Sequence, residues 1–380
     1  MDPTMPPTPP RAAYLHIPLC IHRCGYCNFA VVAGRDDLAQ PLLEALAREL
    51  SALGAPREVD TLYFGGGTPT QLTYDLLDEL ATLSTTWHPL APQAEWTVEA
   101  NPEDVSHRTW ELLARHGVTR VSLGAQSLQA DKLRVLERRH TPQQVADAVQ
   151  MARAAGLQVG IDLIFAVPGE SLSDWQRDLE AALALAPDHL STYGLTFEKG
   201  TAFWGRRQRG ELTEVDEDAQ LAMYECAIDR LIAAGYEHYE VSNFALPGRR
   251  SRHNQVYWRG DEYYAAGPGA ARYVGGVRET NHRSTTTYLR RIASGQSPVA
   301  ESETLSPRDR AAECLVLGLR RIEGVDCQQF ECRTGWSPWE LAGDAIDRFV
   351  DRGLLERTQT HLRLTRSGLL VSDAVWPELL

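Results

Sequence analysis

The chain has 380 residues, room for two or three domains at roughly 150 residues each. Its composition, 43% hydrophobic and 23% charged, is that of a folding globular chain and not of a disordered one. Lys and Arg number 38 against 51 Asp and Glu, and the net charge of −13 gives no general attraction to a phosphate backbone or an anionic membrane, which excludes nonspecific nucleic-acid binding.

Residues 1–11 are proline-rich, carry an acid and have no apolar run, unlike a signal peptide, so they read as a disordered leader. From Ala12 short β-branched or aromatic runs alternate with longer amphipathic stretches, a pattern that predicts repeated βα units around a parallel sheet. Strands are expected at 12–17, 60–64, 96–100, 120–124, 158–164 and 189–195. Helices are expected at 38–53, 72–83, 109–115, 142–155, 172–185 and 217–233. Right-handed crossovers curl six such units into a partial (β/α)6 barrel or an open sheet of the α/β class over 12–240, with ligands at the C-terminal ends of the strands.

Lys132 and Lys199 are the only lysines, and neither follows a glycine, so no Walker-type phosphate loop can be written. Both lie beside acidic residues that hold them protonated, which sets Schiff-base chemistry aside. Beyond Gly235, 236–244 reads as one more strand, and the Gly-, Arg- and Tyr-rich stretch that follows has little periodicity, so 241–305 is expected to connect. From 306 to 380 helical patterns lead into a short alternating hairpin, which resembles a winged-helix module. No stretch approaches the roughly 18 apolar residues of a membrane span, and a cytoplasmic protein is expected, peripheral at the membrane only through a partner.

Cys20, Cys24 and Cys27 form a C-x3-C-x2-C run just after the first strand. Three thiolates on one loop can hold three irons of a cubane cluster and leave the fourth open to a ligand. The competing reading is a structural zinc site with His22 as fourth ligand, although zinc usually takes two separated ligand pairs. Cys226, Cys314, Cys327 and Cys332 show no ligand spacing and read as buried or free thiols.

The cysteine run resembles the signature of the radical S-adenosylmethionine (SAM) superfamily. Beyond it, Tyr14 to Cys20, Phe64 to Thr70, Glu99 to Pro102, Gly124 to Ser127, Ile161 to Ile164 and Pro168-Gly169 resemble the oxygen-independent coproporphyrinogen III oxidase family. The resemblance implies a radical SAM partial barrel with a HemN-type C-terminal domain, a [4Fe-4S] cluster on the three cysteines, and SAM reduced by one electron to a deoxyadenosyl radical. It implies that Gly66, Gly67 and Thr68 meet the methionine amino group, Glu99 the ribose hydroxyls, and Gln126 the ribose or methionine part. It further implies that Arg139 takes the methionine carboxylate, with adjacent Arg138 the one-residue alternative. By the same resemblance Asp162 is expected to face the SAM or substrate pocket, Tyr14 the sulfonium and substrate, and Tyr26 the adenine.

One departure separates this chain from the oxidases, which carry a fourth cysteine two residues beyond the third, where this sequence has Phe29. Another is that Tyr14 follows only a proline-rich leader. Phe29 and the run His253-Asn254-Gln255-Val256-Tyr257-Trp258 are similar to the haem-chaperone branch of the family. That branch implies haem as cargo, with His253 as its ligand. It implies haem-accepting partners such as respiratory enzymes, leaves room for a low-potential electron donor and a homodimer, and needs no nucleic acid. The oxidase reaction itself, and a radical SAM enzyme modifying tRNA, are the alternatives.

Overall fold

Alternation of apolar and polar side chains along the longer strands builds the central sheet of the computed structural model, which describes residues 9–380. The strands are β1 (Ala12–Ile17), β2 (Val59–Gly66), β3 (Leu90–Ala100), β4 (Arg120–Gln126), β5 (Gln158–Phe165) and β6 (His189–Gly194), then β7 (Glu237–Glu240) from the stretch expected as one more strand, and β8 (Asn243–Ala245) and β9 (Tyr264–Ala266) from the stretch expected to connect. Their order in the sheet is β9-β1-β2-β3-β4-β5-β6-β8-β7. All pairs from β9 to β6 are parallel, and β8 returns antiparallel on β6.

Crossover helices cover one face of this sheet at Ala39–Ser51, Tyr74–Trp87, His107–His116, Pro142–Ala154 and Leu172–Ala184. Three of them start with reciprocal capping boxes, Ser106 with Thr109, Thr141 with Gln144 and Ser171 with Asp174. Leu15, Leu62, Phe64, Trp96, Val98, Val121, Leu123, Ile161 and Leu163 point to that face and are fully buried. The other face carries Tyr14, Tyr63, Thr97, Glu99, Arg120, Ser122, Asp162, His189 and Ser191, all on the wall of one cavity. Parallel strands buried on both faces read as continuous apolar runs, so this alternation marks a concave face built to meet a polar ligand.

Three expectations need correction. Residues 1–8 of the leader lie outside the described residues, but Arg11 is anchored, its Nη1 2.8 Å from Glu58 and Nη2 2.7 Å from Asp60. The strand expected at 236–244 is a hairpin, turning between Glu240 and Asn243. The connecting region adds β8 and β9 to the sheet and builds a separate antiparallel meander, Ala271–Val274, Val277–Asn281 and Val299–Thr304. A boundary at 240 therefore cuts through hydrogen-bonded sheet. Buried Glu49 ties this region to the first crossover helix, accepting from the Gly267 amide at 2.9 Å, Asn281 at 2.7 Å and Tyr288 at 2.6 Å.

Lys132 is buried on Asp178 at 2.9 Å and on Glu170, which makes it a structural cation. The C-terminal part packs the helices Pro307–Leu319, Cys327–Thr334 and Pro338–Asp351 with a three-stranded sheet of Val325–Asp326, His361–Leu364 and Leu355–Arg357, the winged-helix-like arrangement expected.

Candidate functional site

The loop after β1 holds the three cysteines at the C-terminal edge of the sheet, all partly exposed and all on the wall of a cavity of about 1170 Å³. That exceeds the roughly 300–1,000 Å³ of a site for one drug-sized ligand. Among the described residues no three His, Cys, Asp or Glu side chains converge at single-ion distance. A mononuclear zinc ion needs such convergence, whereas a cubane cluster takes one thiolate per iron, so the donor set fits the cluster. His22, the suggested fourth zinc ligand, lies beside Glu137 with Nε2 3.9 Å from the carboxylate.

The loop is fixed by short-range sterics and hydrogen bonds. Gly66 has φ +104°, and a Cβ there would stand 2.3 Å from the His16 ring, while one on Gly67 would stand 2.6 Å from the Leu19 carbonyl. The Thr68 hydroxyl accepts from Asn101 Nδ2 at 2.8 Å and lies 3.6 Å from Cys20 Sγ. Burial pushes the Cys20 thiol up to about 11, against its contact with Thr68. His16 bridges the Tyr14 hydroxyl at 3.0 Å to the Ala30 carbonyl at 2.9 Å and so links β1 to the end of the loop.

Glu99, at the end of β3, accepts from the Tyr63 hydroxyl at 2.9 Å and from the Gly66 amide at 2.8 Å. Burial pushes its carboxyl up to about 7, these two donors opposing and the Asp162 charge adding to the rise. A carboxylate has about four lone-pair positions, so two remain for a ligand's hydroxyls. Asp162 accepts from Ser122 at 3.2 Å, and burial raises it above the ordinary carboxylate range. Gln126 ends β4 with φ +63°, a left-handed conformation that a non-glycine residue rarely adopts outside constrained sites.

Tyr14, Tyr26, Gly66, Gly67, Thr68, Glu99, Gln126, Asp162 and the three cysteines thus share one cavity wall. Arg139 does not join them; it is exposed to solvent. Arg138 occupies that place, with Nη2 2.6 Å from Asn101 Oδ1 and 2.8 Å from the Gly124 carbonyl, Nη1 3.6 Å from Cys24 Sγ, and Nε buried without a partner. An orphaned guanidinium nitrogen beside the thiols suits an anionic ligand. Residues given no individual role from the sequence also line the cavity: Tyr63, Asn101, Arg120, His189, Tyr193 and Tyr257. For Tyr63, Arg120, His189 and Tyr193 the signal was the alternation along β2, β4 and β6; Asn101 follows β3 and Tyr257 sits on the helix Arg252–Trp258.

His253 is not on the cavity wall. It is 1% exposed, with Nδ1 2.9 Å from Thr61 Oγ1, Nε2 2.9 Å from the Tyr257 hydroxyl and its amide 2.9 Å from Glu95. Burial drives its pKa down to about 3. Both ring nitrogens are engaged, so the expected haem-ligand role is corrected to a positioning role behind Tyr257, which does face the cavity. His253→Ala is expected to cost about 2–4 kcal/mol of stability and, where haem is the cargo, to leave its absorption bands in place. Thermal melting and a visible spectrum check both, and a shifted Soret band would restore the ligand role.

Residues 14–182 match the model of the Radical SAM superfamily and residues 305–371 that of the HemN C-terminal domain. The heme chaperone HemW of Lactococcus lactis is 37% identical over 98% of this chain and 97% of its own length. That of Mycobacterium tuberculosis is 39% identical over 98% and 96%. The mitochondrial radical S-adenosyl methionine domain-containing protein 1 of Danio rerio is 33% identical over 97% and 86%. Among solved structures the coproporphyrinogen III oxidase HemN of Escherichia coli, a radical SAM enzyme, shares the fold with a TM-score of 0.86 over 99% of this chain and 91% of that one, at 21% identity. Relatedness at this level runs from the cysteine loop through the C-terminal module, so this chain belongs to the HemW family within the radical SAM superfamily.

Proposed function

We propose that the chain is a haem chaperone that binds a [4Fe-4S] cluster, SAM and haem and delivers the haem to acceptor proteins. The observation that carries this reading is the full-length relatedness to heme chaperones, and the radical SAM superfamily itself implies the cluster and SAM. On this reading Cys20, Cys24 and Cys27 hold the cluster, and Gly66, Gly67 and Thr68 offer backbone and hydroxyl groups to the methionine amino end. Glu99 takes the ribose hydroxyls, Arg138 the methionine carboxylate and Gln126 a neighbouring polar group. Tyr26, packed edge-on against Phe203 at 6.1 Å, offers a ring face to adenine. Tyr14 and Asp162 border the space left for haem.

When bound, the cluster and SAM supply one-electron reductive chemistry. The chain's own residues orient the ligand, and Arg138 with Asn101 holds an anionic end next to Cys24. Phe29, where the oxidases carry a fourth cysteine, is 62% exposed at the cavity rim and offers an apolar contact for a macrocycle or an acceptor.

The acceptors on this reading are haem-requiring proteins such as respiratory enzymes, met from the cytoplasm. Among the described residues no helix is long and apolar enough to cross a membrane. The test uses anaerobically reconstituted protein with SAM, a low-potential reductant and coproporphyrinogen III, followed by titration with haemin. No vinyl product and a saturable Soret shift are expected. Vinyl porphyrinogen formed with consumption of SAM would install the oxidase reading instead.

A further inference from the structure

The assignments above leave the inner end of the cavity, toward the N-terminal ends of β4 and β6, without a role. Arg120 lines it and is 3% exposed. Among the described residues Arg120 forms no ion pair, and its hydrogen bond runs from Nη1 to the Arg249 carbonyl at 2.9 Å. Buried charges are ordinarily paired, because an uncompensated one costs several kcal/mol.

His189 lines the same end and is 2% exposed. Its Nε2 lies 2.8 Å from the Tyr239 hydroxyl, which itself accepts from the Ser251 amide. Among the described residues the buried phenol has no acceptor for its own proton other than Nε2, and a neutral ring that accepts there carries its hydrogen on Nδ1. Burial, with the Arg120 charge added, holds the ring neutral. Nδ1 is buried and has no partner.

Gly160 brings the two groups together. It pairs with Ser122 on one side and His189 on the other, and a Cβ there would stand 3.5 Å from Arg120 Nη2. Asp162 is the acid nearest this end along β5, and it takes the Ser122 hydroxyl instead of an ion pair. Arg120 and His189, each with a donor left unanswered, thus line the inner end of a cavity whose wall also carries the tyrosines Tyr14, Tyr63, Tyr193 and Tyr257. Their rings suit the faces of a planar aromatic ligand.

We infer that Arg120 and His189 form an anchor for an ionised carboxylate of the bound ligand, which, resting on the haem reading above, is a propionate of haem. The methionine carboxylate of SAM is the other carboxylate at hand. It belongs to the cysteine end: Gln126 lies six residues beyond Arg120 on β4, about 20 Å along the strand at the usual rise.

The experiment titrates the full-length protein with haemin and with haemin dimethyl ester, whose propionates are masked, in wild type and Arg120→Gln, with SAM binding measured alongside. Wild type is expected to bind haemin about 10–100-fold tighter than the ester. Arg120→Gln should bind the two alike while keeping SAM affinity. Equal affinity of wild type for haemin and ester overturns the anchor, as does an arginine variant that retains the preference. Wild type that binds neither porphyrin overturns the haem reading itself. The ester comparison edits the ligand alone, so the outcome does not depend on the variant folding.

Discussion

Cys24→Ala leaves the protein without its cluster: after anaerobic reconstitution, iron and sulfide stay at background and the broad visible absorption does not develop. Three thiolates are the minimum for a cubane with one open iron, and the structure offers no substitute for the third. His22 is partly exposed beside Glu137, and the remaining cysteines are in the helices Glu217–Ala233, Pro307–Leu319 and Cys327–Thr334. The fold survives the change, because Cys24 sits on a loop and Arg138 keeps its bonds to Asn101 and Gly124. Circular dichroism should therefore match wild type. A full cluster content in this variant would defeat the assignment of the thiols.

The second large effect is expected at Glu99. Glu99→Gln keeps the side-chain shape but turns one acceptor into a donor and removes the charge, weakening SAM binding about 10–100-fold, since each hydrogen bond to a charged group contributes roughly 1.5–3 kcal/mol. The wild-type carboxyl, pushed up to about 7 by burial, adds a pH dependence. On the proposed ribose role the hydroxyls bond to the ionised form, so SAM binding would draw the Glu99 proton off, and affinity is expected to fall as pH drops through 7, approaching about tenfold per unit below it. The variant, with nothing to titrate there, should give a flatter profile between pH 6 and 8. Calorimetric titration across that range checks both statements, and parallel profiles for the two proteins would remove Glu99 from the ribose site.

The six barrel strands and their helices were legible because each is long enough to show its period, and the observed ends differ by a few residues. β3 is the exception: it starts at Leu90 where the apolar run begins at Trp96, because pairing with β2 extends it. β9 was not legible, since three residues carry no period and it exists only because β1 offers an edge. Gly267, just after it, marks the close approach: its φ is +106° and a Cβ would stand 2.4 Å from the His16 carbonyl.

The choice between Arg138 and Arg139 was likewise closed to the sequence. Both follow Glu137, whose left-handed φ of +56° ends the helical register after Ala130–Val135 and turns the next side chain inward. His253 was read as a ligand from its motif, and packing overruled that by answering both ring nitrogens.

What the sequence by itself determined is what neighbours along the chain can set: the βα alternation, three thiols on one loop, the glycines at a strand end, and Phe29 in place of a cysteine. The tertiary structure alone decided which polar side chains converge. Residues far apart in sequence converge only in the folded chain: Arg120 and His189 come to one end of the cavity when parallel strands take their register, and Thr61 meets His253 when the helix Arg252–Trp258 packs on β2. A buried hydrogen bond made or left open there decides whether a histidine holds the scaffold or waits for a ligand.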